Sequence, residues 1–146
     1  MSISRKHLNS HKGSVYFEAQ SLADVLKKKF PSIRFCLLMG SAKNGKVNEG
    51  SDLDLAIFLN ERPELSFYAA IEDAVHEVVP KVRVDVGFLN RAEPVFRFEA
   101  LKGTLLFVRD MDEYASFFSK TCREYESQLF DYERQHKYRL EAGHAV

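Results

Sequence analysis

Asp52 and Asp54 stand two residues apart at the head of an apolar run, and ten residues separate the first of them from a Gly-Ser pair, Gly40-Ser41. The run reads as a buried strand, and side chains two apart on a strand point the same way, so both carboxylates share a face. Two like charges held side by side away from water are costly unless something positive lies between them. Mg²⁺ meets that need, because it takes oxygen ligands, commonly one or two protein carboxylates plus substrate phosphates. The upstream pair supplies the other half of such a site. Gly40 permits a sharp turn and close approach of a ligand, and the free N–H groups of the turn, with the Ser41 hydroxyl capping a short helix, suit phosphate oxygens. A third carboxylate, Asp85, interrupts the apolar run VRVDVGF. On an adjacent strand it is placed to ligate a second ion and to help deprotonate an incoming hydroxyl, as in two-metal phosphoryl displacement.

These residues need a scaffold, and the flanking sequence supplies its parts. IRFCLLM (33–39), LDLAIFL (53–59) and VRVDVGFL (82–89) read as strands, and TLLFV (104–108) as a short fourth. Apolar residues at helical spacing predict a helix from about Ser14 to Phe30, carried by Leu22, Val25 and Leu26 and ended by Pro31. A second is predicted over 64–79 from Leu65, Tyr68, Ile71, Val75 and Val78, and a third over about 93–102. Strand, helix, strand order points to an α/β (α+β) domain with a mixed sheet flanked by helices. From Asp112 to about Glu141 neither glycine nor proline occurs, and Tyr114, Phe117, Phe118, Thr121, Cys122, Tyr125, Leu129, Tyr132 and His136 form a stripe. A helix of about 30 residues spans roughly 45 Å, against a radius of gyration near 15 Å for a domain of this size. Its first half is expected to join the core and its second half to meet a partner. The chain thus divides into a polar segment (1–13), a core (14–109) and a long C-terminal helix (110–146).

Composition narrows the function classes. Lys plus Arg and Asp plus Glu number 21 each, which argues against bulk nucleic acid or an anionic membrane as the main partner. No apolar stretch approaches the length of a membrane span, and the N-terminal residues lack the apolar stretch of a signal peptide. Two cysteines, Cys36 and Cys122, make no disulfide framework, so a cytoplasmic protein with reduced thiols is expected. His7 and His11, four apart, have no acidic or thiol neighbour to complete a metal site, and Ser41 has no His-Asp arrangement that would make it a hydrolase nucleophile. Plainer roles stay open beside the chemical ones: Asp85 paired with Arg83, Ser41 as a helix cap, and Lys43 and Lys46 as solvated loop charges.

The Gly-Ser pair, the ten-residue interval and Asp-x-Asp together resemble the motif of the nucleotidyltransferase superfamily that includes DNA polymerase beta and kanamycin nucleotidyltransferase. More narrowly, GSAKNG, SDLDLAIF and VRVDVGFLNRAEPVFRFEALKGTLLFVRD, followed by DEYASFF and EYESQLFDYERQ, look like the minimal nucleotidyltransferases, called MNT. The resemblance covers about residues 20 to 135. Members are commonly the antitoxin halves of HEPN/MNT toxin–antitoxin pairs. The resemblance implies an enzyme that uses ATP and Mg²⁺ to transfer AMP to a tyrosine of a HEPN ribonuclease toxin, silencing it. It implies Asp52 and Asp54 as metal ligands, Asp85 as the third carboxylate, and Gly40 and Ser41 as nucleotide contacts. Arginines often follow the Gly-Ser pair in that family, whereas this chain has Lys43 and Asn44; a lysine meets phosphate as a point charge and not as a fork. Little sequence remains for a separate acceptor-binding domain, so an acceptor that docks itself along the C-terminal helix is expected, in a homo- or hetero-oligomer. Two alternatives stand beside this reading: an antitoxin that acts by steric cover with an idle site, and a nucleotidyltransferase for a small molecule of the aminoglycoside type.

Overall fold

The computed structural model describes residues 13–48 and 50–144. Its centre is a mixed four-stranded sheet of β2 (Ile33–Met39), β4 (Asp52–Leu59), β5 (Arg83–Phe88) and β6 (Thr104–Val108), ordered β5-β4-β2-β6. β2 runs antiparallel to both β4 and β6, while β4 and β5 are parallel. The parallel pair is joined by helix α2 (Leu65–His76), the crossover that parallel neighbours require. Helices α1 (Ala19–Lys29), α3 (Pro94–Leu101) and α4 (Met111–His144) complete the α/β architecture, with its long C-terminal helix, that the sequence predicts.

Alternation along the strands gives the sheet two covered faces. Leu53, Leu55, Ile57 and Leu59 of β4 join Leu22 and Leu26 of α1 and Ile71 and Val75 of α2 in one core. Ala56, on the opposite face, joins Phe35 and Leu37 of β2, Ala100 of α3 and Phe117 of α4 in a second. Asp52 and Asp54 share the parity of Ala56 and so point toward the α3 side, away from the larger core. Cys36 is fully buried, and burial pushes its thiol far up from the ordinary range. Neither cysteine is in a disulfide.

Two predicted helices change their bounds. The first begins at Ala19, because Val15 and Tyr16 form a two-residue strand, β1, paired antiparallel with β3 (Lys46–Val47), and Phe17 N–H donates to the Gly45 carbonyl. Those pairings hold the chain extended where side-chain spacing alone reads as helix. In α2, Leu65 is 91% exposed and takes no part in the core, and Phe67 packs inward against Phe30 instead. The helix ends at His76, and Val78 and Val79 turn back to donate to the Val75 carbonyl. The polar N-terminal segment, with His7 and His11, lies outside the described residues. Among the described residues no helix is long and apolar enough to cross a membrane.

The long helix is rooted in aromatic packing. Phe117 lies 5.2 Å from the rings of both Phe35 and Phe58, and Tyr114 meets Phe35 edge-on. Arg34 pairs with Glu113 at 2.8 Å, and farther along Tyr125 stacks on Phe98 of α3 at 4.0 Å. Every residue from Glu126 to Gly143 is exposed.

Candidate active site

The register of the parallel pair sets Asp54 directly opposite Asp85 and Asp52 opposite Arg83. Matched residues in a parallel pair point to the same face, so the acids of β4 and β5 converge. One carboxylate oxygen from each of Asp52, Asp54 and Asp85 lies within 4.8 Å of the others. Burial raises the Asp54 carboxyl above the usual range, and the charges of Asp85 and Asp52 raise it further. The plainer pairing considered for Asp85 goes elsewhere, since Arg83 Nε donates to Asp52 Oδ1 at 3.0 Å. That guanidinium is 82% exposed, so water screens much of what it offers. Three oxygen donors whose one ion-pair partner among the described residues is a screened guanidinium fit a hard divalent ion such as Mg²⁺.

Gly40 roofs this cluster. It opens a 3-10 turn (Gly40–Asn44) directly after β2, with φ at +64°, a conformation that side chains rarely adopt. A β-carbon there would stand 2.9 Å from Asp54 Oδ2. Gly45 closes the turn in the left-handed region, its N–H donating to the Ala42 carbonyl. The sequence places Ser41 at the cap of this turn, but Met39 occupies the flanking position and Ser41 falls inside it. The expectations for the Ser41 hydroxyl and the Lys43 ammonium lie outside the described residues.

A cavity of about 520 Å³ opens in front of the acids, bounded by Gly40, Asp54, Asp85, Gly87 and the α3 residues Phe96 and Glu99. Lys102 and Gly103 line it as well. The Phe96 ring lies against Gly87, where any β-carbon would collide with it. Sequence reasoning missed this α3 wall. The available signal was the three-residue spacing of Phe96, Glu99 and Lys102 on a helix following the strand of Asp85.

The family model for polymerase beta, nucleotidyltransferase, matches residues 20–112. The chain belongs to that nucleotidyltransferase family. The match takes in the Gly-Ser turn, all three aspartates and the α3 wall. No curated protein matches the sequence. Among solved structures, a chain of a toxin–antitoxin complex with AMP-PNP superposes with a TM-score of 0.63 at 20% identity, covering 83% of this chain and 95% of that one. A chain of the tri-AMPylated Shewanella oneidensis HEPN toxin in complex with MNT antitoxin gives 0.58 at 19% identity, covering 83% and 96%. A mutant of the MntA-HpeT pair, with two aspartates two positions apart changed to glutamate, gives 0.65 at 20%, covering 83% and 95%. These similarities show a shared nucleotidyltransferase fold.

Proposed function

We propose that this nucleotidyltransferase is the antitoxin of a toxin–antitoxin pair and transfers AMP from ATP to a tyrosine of a HEPN-type ribonuclease partner. The observation that carries the reaction class is the convergence of Asp52, Asp54 and Asp85 beneath the Gly40 turn. The choice of acceptor is supported by the similar solved complexes, one of which holds AMP-PNP and another an AMPylated toxin. The mutated pair of aspartates in a third has the spacing of Asp52 and Asp54.

In this reading Asp52, Asp54 and Asp85 hold Mg²⁺, which, when bound, neutralises the phosphate oxygens and stabilises charge on the departing pyrophosphate. The chain's own residues do the rest. Gly40, without a side chain, lets the phosphates approach the backbone above Asp54, and the N–H groups of the turn face them. Asp85, the most open of the three acids, accepts the proton of the attacking tyrosine hydroxyl. The oxygen then attacks the α-phosphorus and pyrophosphate leaves. The exposed half of α4 holds the partner, which makes transfer effectively intramolecular.

The deciding measurement is the intact mass of the co-expressed partner, with the wild-type chain or with Asp52→Asn/Asp54→Asn. The expected result is a partner heavier by one or more AMP units with the wild type alone. An unmodified partner that is still held and silenced by both chains would replace this reading with steric antitoxin action.

A further inference from the structure

The cavity wall contributed by α3 carries a charge that the reaction needs. Of the side chains bounding the cavity, Asp54, Asp85 and Glu99 are acidic and Lys102 is the lone basic one among the described residues. A nucleoside triphosphate brings about four more negative charges, and the carboxylates repel it before any metal is counted. A cation lining the same cavity relieves that repulsion and tells the phosphate end of a nucleotide from its base.

Lys102 is built to stay at the cavity wall. It is the residue that ends α3, with its N–H donating back into the last turn. The next residue, Gly103, passes so close to the Leu38 carbonyl of β2 that any β-carbon there would collide with it. The Lys102 backbone is thereby held against the sheet. Its Nζ rests 3.1 Å from Glu99 Oε1 and 4.9 Å from the centre of the Phe98 ring. The ion pair is solvent-exposed, Lys102 being 57% and Glu99 51% accessible, so it does not hold the ammonium strongly.

Resting on the nucleotidyltransferase reading of the site, we infer that Lys102 is the side chain that grips the phosphate chain of the bound nucleotide. It exchanges Glu99 for phosphate oxygens as the nucleotide enters. The sequence leaves Lys43 open between a solvated loop charge and a phosphate contact; Lys102 offers a phosphate contact from the α3 side. A lysine suits it, since an ammonium on a flexible stem binds phosphate as a point charge without demanding one orientation.

The test is calorimetry of the full chain with Mg²⁺, using ATP and tripolyphosphate as separate probes. Lys102→Met is expected to weaken both by about tenfold, the scale of one charge-assisted contact, and Lys102→Arg to restore most of the loss. Lys28→Met removes the same charge from α1, on the other face of the sheet, and is expected to change either affinity less than twofold. Equal losses in Lys102→Met and Lys28→Met would reduce the effect to net charge and overturn the assignment. A loss confined to ATP would move Lys102 to the nucleoside and overturn it as well. Wild-type binding of ATP that Lys102→Met leaves intact would sink this inference alone. Failure of the wild-type chain to bind ATP would sink the nucleotidyltransferase reading beneath it.

Discussion

Because Asp54 is partly buried and faces both Asp85 and Asp52, its carboxyl titrates above the ordinary value of 3.8, and at neutral pH the fold carries an unfavourable charge there. Between that ordinary value and the raised one, the native state keeps a proton that the unfolded chain has released. Stability from this group therefore falls as pH rises through the window and stays reduced above it. Asp54→Asn is expected to raise the melting temperature by about 2 °C at pH 7 in the presence of chelator. Below pH 3.8, where Asp54 is protonated in both states, the gain should vanish. Mg²⁺ should reverse the order by stabilising the wild type and not the variant. Thermal melts at two pH values, with and without the ion, check all three statements. A variant less stable than the wild type at neutral pH would mean that Asp54 contributes a structural contact that outweighs its repulsion. The position of the acids was legible in the sequence because strand parity and one fixed interval determine it. Arg83 beside Asp52 was not, since a cross-strand partner depends on register, which local pattern does not encode.

Elements were readable where their pattern was long. β2 and β6 fall at the expected residues, and α3 and α4 within a few of theirs, because apolar runs, Pro94 at a helix start and an uninterrupted stretch of helix formers are strong local signals. β1 and β3 have two residues each, too few for any period to show, and only their pairing defines them. Leu65 lies in the helix as expected yet is exposed, because spacing marks a helix face but not where the body under it ends. In α4 the aromatic stripe divides: Phe117 and Thr121 are buried, while Phe118 and Tyr132 are exposed. Thr121 is the flaw in the buried part: it is fully inaccessible, and its Oγ1 has no hydrogen-bond partner among the described residues. A buried hydroxyl without a partner is destabilising, whereas an apolar group of the same shape is not. Thr121→Val should raise stability by about 1 kcal/mol, read as a higher midpoint in urea with an unchanged slope. A decrease would show that the hydroxyl is satisfied in solution.

On the scale of the molecule, α4 is longer than the body needs. Its 34 residues reach about 51 Å, while packing against the sheet and α3 ends near Tyr125. Beyond that point Leu129, Phe130, Tyr132, Tyr138 and Leu140 are 44–67% exposed. The same stretch is acidic first, at Glu126, Asp131 and Glu133, and then basic, at Arg134, Lys137 and Arg139. Single exposed apolar residues are ordinary, but five on one projecting helix form a surface suited to burial by another chain. Since this half supports no core, removing it should leave the catalytic body intact. Deleting residues 130–144 is expected to change the melting temperature by no more than about 2 °C and ATP affinity by less than twofold. Transfer of AMP to the partner should fall by at least about a hundredfold at partner concentrations that saturate the full chain, since effective concentration is lost with the docking helix. Transfer that survives the deletion would place the docking surface on the body of the domain, beside the cavity. Loss of ATP binding along with transfer would instead make the projecting helix part of the nucleotide site, which the exposure of every residue from Glu126 to Gly143 argues against.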